Sequence, residues 1–141
     1  MVQAARISIT GTQSMDDSGP QTLELVTDGS YCYEPGFALL SYVESEMTGL
    51  EGVVTSFRIE DGQTVTLRRT GKVNAEMVFD RRQAHESLYD VGFGAMMISV
   101  VTDDMTVLLN EYGGVLDLDY RVEVEHALCS RNRYHIEIQT I

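Results

Sequence analysis

Three side chains with polar or charged groups occupy positions that the sequence pattern otherwise gives to apolar residues. Arg69 ends a run in which every second residue is apolar, and Thr55 and Tyr120 hold equivalent positions in two other such runs. Because alternate residues of a strand share a face, these three side chains are predicted to face the core. A charge on a buried face is costly unless it is paired, so Arg69 requires a partner.

Glu44 is the residue that we expect to pair with Arg69. It follows Tyr42 with a period of two, although the pattern does not fix which face of that strand is buried. The chain turns after Glu44, and two turns later an antiparallel arrangement returns Arg69 to the same end of the sheet. We therefore predict a Glu44–Arg69 ion pair near one end of the fold, with Tyr42, Thr55 or Tyr120 nearby.

Two interpretations of this polar cluster stay open at the level of sequence. The cluster can be a structural ion pair that closes one end of the fold, which is the commoner role of such pairs. It can instead be a polar anchor for a small ligand that carries an anionic or hydroxyl group. The candidate ligand-binding residues are Tyr42, Glu44, Thr55, Arg69 and Tyr120.

Sequence motifs for catalysis and for phosphate binding are absent. The Gly-Lys pair in Thr70-Gly-Lys-Val73 has no Ser or Thr after the lysine, as a phosphate-binding loop requires. Neither a G-x-S-x-G nor an H-E-x-x-H motif occurs. We therefore predict no catalytic residues and no cofactor. Were the protein an enzyme, Glu44 would be its candidate acid.

A metal site would need Cys129, His85, His126 and His135 to converge. The pattern puts His126 on the apolar face of its strand and His135 on the polar face of the next, so the two point apart unless a bulge intervenes. We expect no metal site. Cys129 and Cys32 are expected to be reduced thiols in or near the core, because two such cysteines do not make a disulfide framework.

Alternation of apolar and polar residues is the dominant pattern of the chain. It is clearest in Leu116–Val124, where every even residue is apolar or aromatic and every odd one is charged. Turn signals such as Glu34-Pro-Gly36 and Asp103-Asp104 separate the runs, and connections this short make successive strands antiparallel neighbours. The predicted strands are 5–12, 22–28, 37–44, 53–59, 64–69, 73–79, 96–102, 106–112, 116–124 and 134–141, with a weaker candidate at 84–91.

The apolar faces also predict the lengths of two loops. Strands 53–59 and 64–69 both carry their apolar residues at odd positions, so the loop between them must have an odd length. We predict the loop Glu60-Asp61-Gly62, which would set Thr55 opposite Leu67. The same argument predicts an odd-length loop near 129–131.

An all-β chain of 141 residues has two packing solutions, a sandwich and a barrel. Few Pro or Lys residues are present to protect exposed strand edges, which favours closure. We predict a single domain over residues 1–141, formed by one antiparallel closed barrel of about 8–10 strands. The side chains expected to fill it are Phe57, Met77, Phe79, Met96 and Tyr120.

Charge and hydropathy narrow the range of partners and compartments. The net charge of −12 disfavours nucleic acids and anionic membranes. Six of the ten basic residues lie between Arg58 and Arg82, as ion pairs on a solvated face or, less commonly, as an anion-binding patch. The sequence has neither an apolar window of about 20 residues nor the apolar core of a signal peptide, so we expect a cytoplasmic protein.

The order of several short motifs resembles the YwiB-like family of bacterial β-barrel proteins. The motifs are Leu40-Ser-Tyr-Val-Glu44, Gly49, Val54-Thr55, Arg69-Thr-Gly71, Met77-Val-Phe79, Gly94, Thr102, the run from Gly113 to Tyr120, and Asn132. The resemblance implies a calycin-like barrel, related in architecture to lipocalins and fatty-acid-binding proteins, in the bacterial cytoplasm and with unknown function. Its polar motif positions are the five candidate residues named above, and Val43 stands where the family usually has Tyr or Phe.

Two function hypotheses follow from the sequence. In the first, the barrel binds a small, partly apolar ligand near the Glu44–Arg69 pair. In the alternative, side chains fill the barrel, and its outer surface is a protein–protein interaction module.

Overall fold

The computed structural model of the chain describes residues 2–15, 19–90, 94–125 and 127–141. As the alternating pattern predicts, these residues are mostly strands. Within them there is no α-helix, and one 3₁₀ turn lies at Glu46–Thr48. The ten strands of the described residues are β1 (Val2–Met15), β2 (Gln21–Glu34), β3 (Phe37–Val43), β4 (Val54–Glu60), β5 (Thr64–Thr70), β6 (Asn74–Phe79), β7 (His85–Asp90), β8 (Ala95–Asn110), β9 (Gly113–Val124) and β10 (Ala127–Thr140).

Each strand pairs in antiparallel fashion with its neighbours in the chain, and β1 pairs with β10 to close the barrel. The predicted all-β antiparallel barrel is therefore confirmed. In the part of the chain that the structure describes, the closure is weakest between β6 and β7, where the register pairs Asn74 and Ala75 of β6 with the last two residues of β7. We call the end at which β3 leads into β4 the upper end. Among the described residues, no helix has the length and hydrophobicity of a membrane-spanning segment.

The weaker strand candidate at 84–91 is a strand, β7, whereas the two predicted strands 96–102 and 106–112 are one strand, β8. The turn predicted at Asp103-Asp104 is wrong. The pairing of β8 with β9 shifts by one residue between Thr102 and Asp104, so a β-bulge takes up the extra residue and the strand continues.

The predicted β4–β5 loop has the correct length but lies one residue too early. Glu60 still pairs with Thr64, so the loop is 61–63 and Thr55 lies opposite Arg69 rather than Leu67. The reason is that both Asp61 and Gly62 adopt positive φ angles, of 54° and 63°. Two successive residues of this kind make the tight reversal that suits the twist of a hairpin, and Glu60 is left in the strand.

The loop predicted near 129–131 is also wrong. β9 ends at Val124 and β10 already begins at Ala127, so the two strands are joined before the predicted loop and residues 129–131 lie within β10. The apolar faces of β9 and β10 require one extra residue between them. A β-bulge between Leu128 and Ser130, inside β10, contains this residue. His126 lies outside the described residues.

Apolar side chains pack the middle of the barrel. Four of the predicted filling residues, Phe57, Met77, Phe79 and Tyr120, are buried there. Met96 is an exception, because it is 50% exposed near the start of β8. The largest fully buried side chains are Tyr31, Phe57, Phe79, Ile7, Leu40, Leu67, Leu116, Leu118, Ile136, Val53, Val65 and Val100.

Candidate functional site

A cavity of about 690 Å³ lies within the upper end of the barrel. It forms where β2 pairs with β3 only over residues 30–34, so that the first half of β2 is paired with β1 alone. Met15, Met47 and Met96 line the cavity and are each about half exposed or more, so the cavity is open to solvent. We call Met15, Met47 and Met96 the rim methionines, because they lie at the open edge of the cavity. Met96, which was expected to fill the core, is therefore one of them.

The predicted ion pair between Glu44 and Arg69 is present and lines the cavity. Nε of Arg69 lies 3.8 Å from Oε2 of Glu44, and the side chains are 12% and 2% exposed. Arg69 is the penultimate residue of β5, and Glu44 directly follows β3. The corrected register explains the contact, because it places Thr55, on the strand between them, directly opposite Arg69 and also opposite Tyr42.

Glu44 is held by hydroxyl groups from two parts of the chain. Thr55 Oγ1 donates a hydrogen bond of 2.7 Å to Oε2, and Thr48 Oγ1 donates one of 3.3 Å to Oε1. Thr48 ends the 3₁₀ turn in the β3–β4 connection, which the backbone of Glu44 also fixes through its hydrogen bonds with Val53 and Gly52. The carboxylate of Glu44 therefore links the β3–β4 connection to β4 in the barrel wall.

Tyr42 is buried beside the same carboxylate. Burial, together with the negative charge of Glu44, raises the pKa of the Tyr42 hydroxyl well above its usual value. The hydroxyl stays protonated at neutral pH and remains a hydrogen-bond donor. For Arg69, burial acts to lower the pKa, but Tyr134, Glu44 and Tyr42 outweigh it and raise the pKa. The guanidinium group therefore stays charged inside the barrel.

Tyr134 is a site residue that the sequence argument missed. Its hydroxyl accepts a hydrogen bond of 3.4 Å from Nη2 of Arg69. Its ring lies 6.1 Å from that of Tyr120 and 6.3 Å from that of Phe57. The signal was available, because alternation that places His135 on the polar face puts Tyr134 on the apolar one. The fifth candidate, Tyr120, lines the cavity, and its ring packs on that of Phe79.

Gly11 allows the Tyr134 ring to lie across β1. The two residues are directly opposite each other in the β1–β10 pair. A Cβ atom at Gly11 would lie 3.2 Å from Cε1 of that ring, which is tighter than ordinary packing allows. The glycine thus leaves room for Tyr134, whose hydroxyl accepts the hydrogen bond from Arg69.

The remaining walls of the cavity divide by chemistry. Apolar side chains of β1, β2 and the β3–β4 connection form one side: Ile9, Leu23, Leu25 and Leu50. Inward-facing polar side chains of β10 form another, and Asn132 donates a hydrogen bond of 2.9 Å to Ser130. The cavity is therefore amphipathic, with its charged pair at one place in the wall.

The arginines of the basic band, between Arg58 and Arg82, are engaged in ion pairs. Apart from the Arg69 pair, the contacts are Arg58–Glu60, Arg68–Glu76, Arg81–Asp104 and Arg82–Asp80. This agrees with the ion-pair interpretation of the band. Asp80 is buried, and three hydrogen bonds from Arg82 lower the pKa of its carboxyl to about 2.

The histidines of the described residues lie apart. His85 lies 3.9 Å from Asp80 below the β6–β7 contact, whereas His135 lies on the outer face of β10 between Asp117 and Glu137. Within the described ranges, no group of three or more His, Cys, Asp or Glu residues is placed to hold a metal ion. Cys32 and Cys129 are half-buried, and neither is in a disulfide.

Comparison with known proteins places the chain in a family and supports the fold. A family model described as DUF1934, a domain of unknown function, matches residues 7–136. The crystal structure of the ywiB protein from Bacillus subtilis is similar, with a TM-score of 0.85 and 21% sequence identity over 99% of this chain and 93% of that one. No curated protein matches the sequence.

Proposed function

The chain belongs to the DUF1934 family, whose domain has no assigned function, and we propose from the geometry of its lumen that it is a small-molecule-binding barrel. The ligand is small and partly apolar, and its polar group meets Glu44 and Arg69. Tyr42, Thr55 and Tyr120 complete the candidate site as the neighbours that position the pair or line the cavity.

The observation that carries the proposal is an open cavity with a buried ion pair in its wall. Its volume, about 690 Å³, is in the usual range for small-molecule sites, about 300–1,000 Å³. A buried ion pair contributes little to stability compared with apolar residues of the same size. A barrel that only had to fold would do as well with apolar side chains at these positions, which favours a binding role.

The test is native mass spectrometry of the protein purified from the organism that encodes it. The matched variants are L25W, which puts a large ring into the cavity, and V26W, which puts the same ring on the outer face. We expect a co-purifying mass on the wild type and on V26W that is absent from L25W. A wild-type protein with no bound mass, under conditions that preserve other complexes, would contradict the proposal.

The alternative proposal is a protein–protein interaction module. The observation that favours it is an apolar pair on the outer face, where Leu88 of β7 lies opposite Met97 of β8 and both are 55% exposed. An L88E/M97E variant would lose a partner that L25W retains. The reverse pattern would favour the ligand-binding proposal.

We place this function in the bacterial cytoplasm. Cys32 and Cys129 are half-buried and form no disulfide, which suits a reducing compartment. Fractionation of the native cells with an antibody to the protein tests this placement, and recovery with secreted proteins would contradict it.

A further inference from the structure

We infer that the polar group bound in the upper cavity is an anion, carried by a partly apolar molecule whose head group lies against Arg69. This inference rests on the proposed function and names the chemical class of its ligand. Its basis is that Glu44 has several hydrogen-bond donors around it, whereas Arg69 has few hydrogen-bond acceptors.

The carboxylate of Glu44 is well supplied with donors. Thr55 donates to one oxygen at 2.7 Å, and the protonated Tyr42 hydroxyl lies close to the carboxylate. The Thr48 hydroxyl lies 3.3 Å from the other oxygen and shares its one proton with the Ser45 carbonyl oxygen at 3.1 Å. With hydroxyls beside both oxygens, the carboxylate has hydrogen-bond donors of its own, and Arg69 contributes the opposite charge without a hydrogen bond through Nε.

Arg69 is poorly supplied with acceptors. Its buried Nε has no hydrogen-bond partner among the described residues, and its distance of 3.8 Å from Glu44 exceeds that of a hydrogen bond. Its Nη2 makes one long contact, 3.4 Å, with the Tyr134 hydroxyl. A guanidinium group carries five N–H donors, and a buried donor without an acceptor is unfavourable. Within the described part of the chain, Nε of Arg69 therefore lacks an acceptor oxygen, and Nη2 has only a distant one.

An anion supplies what this site lacks. A planar guanidinium group binds carboxylate or phosphate oxygens through paired hydrogen bonds, and such contacts gain strength in an apolar surrounding. Arg69 is the more accessible member of the pair, at 12% exposure against 2% for Glu44, so an incoming head group meets the positive charge first. A cationic head group would meet like charge, and a hydroxyl would offer Arg69 one acceptor oxygen where a carboxylate or phosphate offers two or more.

The rest of the cavity indicates what the anion is attached to. Ile9, Leu23 and Leu25 form an apolar wall of the same cavity that the ion pair lines. An aliphatic segment along this wall would be removed from water, which favours binding. The ligand class is therefore an amphipathic carboxylate or phosphate monoester.

Isothermal titration calorimetry with four ligands of one chain length tests this inference at neutral pH. The ligands are decanoate, decyl phosphate, decanol and decylamine, which share a tail and differ in the head group. We expect decanoate, decyl phosphate or both to bind at least about tenfold more tightly than decanol, a difference of about 1.4 kcal/mol. Decylamine should bind more weakly than decanol.

Variants of Arg69 assign the effect to this site. R69Q should remove the preference for the anions over decanol, and R68Q, on the exposed outer face of the same strand, should keep it. Because R69Q leaves Glu44 buried without its partner, the double variant E44Q/R69Q, which removes both charges, serves as a second version of the test. An unchanged preference in R69Q and in E44Q/R69Q would overturn the inference.

The ligand series separates the two proposals. Binding of decanol as tight as that of the anions would overturn the anion inference and leave the binding function in place. If none of the four ligands binds, the anion inference fails for this class of tail. The proposed function is then judged by its own mass-spectrometric test.

Discussion

Thr55 donates a hydrogen bond of 2.7 Å to Oε2 of Glu44, the same oxygen that faces Nε of Arg69 at 3.8 Å. Three neighbouring strands meet in this contact, since Glu44 follows β3, Thr55 lies on β4 and Arg69 on β5. All three side chains are buried or nearly so. The threonine, rather than the arginine, makes the shortest contact with the carboxylate, which leaves the arginine available to a ligand.

Replacing Thr55 with Val should destabilise the protein while keeping the shape of the side chain. The variant T55V leaves Oε2 of a buried carboxylate without its best donor, and hydrogen bonds to charged groups contribute about 1.5–3 kcal/mol. Urea unfolding should show a loss of that size. T66V, on the outer face of β5, is the control, and an equal effect of the two variants would argue against a special role for Thr55.

Phe79 and Tyr120 should form a part of the core that tolerates truncation poorly. Phe79 is fully buried, and its ring lies 4.6 Å from that of Tyr120 in an edge-on arrangement. F79A should reduce the free energy of unfolding by about 3–5 kcal/mol. Truncation of Phe37, which packs against Arg58 and not in the buried core, should cost clearly less. Similar losses in thermal unfolding of F79A and F37A would contradict this account of the core.

Asp80 should make the protein sensitive to acid. Its carboxyl pKa falls from 3.8 to about 2, first because Arg82 hydrogen-bonds it. A group whose pKa is lower in the folded state stabilises that state above its unfolded pKa and ceases to do so as it becomes protonated. Stability should therefore fall as the pH is lowered from about 4 toward 2, and D80N should show a shallower fall over the same window. Parallel curves for wild type and D80N would refute the assignment to Asp80.

His135 should have the opposite pH dependence. Glu137 and Asp117 hydrogen-bond its ring and raise its pKa above the ordinary 6.5. The protonated ring stabilises the folded state fully below the unfolded pKa, and this contribution is lost as the pH rises through the folded pKa. Chemical unfolding above pH 6.5 should thus show a decline for the wild type that H135Q lacks. An NMR titration that gives His135 a pKa at or below 6.5 would contradict the prediction.

Much of the fold and part of the site could be predicted from the sequence, because both depend on which residues of each strand share a face. Alternation identifies the strands, and it shows that Arg69, Thr55 and Tyr120 face inward. It does not fix register, which depends on how a turn folds: positive φ at both Asp61 and Gly62 moved the β4–β5 pairing by one position. Nor does it show bulges, which kept β8 continuous and placed an extra residue inside β10.

The cavity itself could not be predicted from the sequence. Its volume depends on where β2 separates from β3 and on which inward side chains meet across the lumen. Met96 illustrates the difficulty, because alternation assigns it to the inner face but not to a height within the barrel. At the level of the rim, an inward-facing side chain borders a cavity instead of filling the core.

A crystal structure of the protein purified from its own host would show whether the upper cavity is open and whether it holds a ligand at Arg69. We predict an open upper cavity of about 690 Å³ with Glu44 and Arg69 in its wall, and electron density for a bound molecule whose head group contacts the guanidinium group. A lumen closed by its own side chains, with Arg69 fully hydrogen-bonded to protein groups, would contradict the proposal that the barrel binds a small anionic ligand.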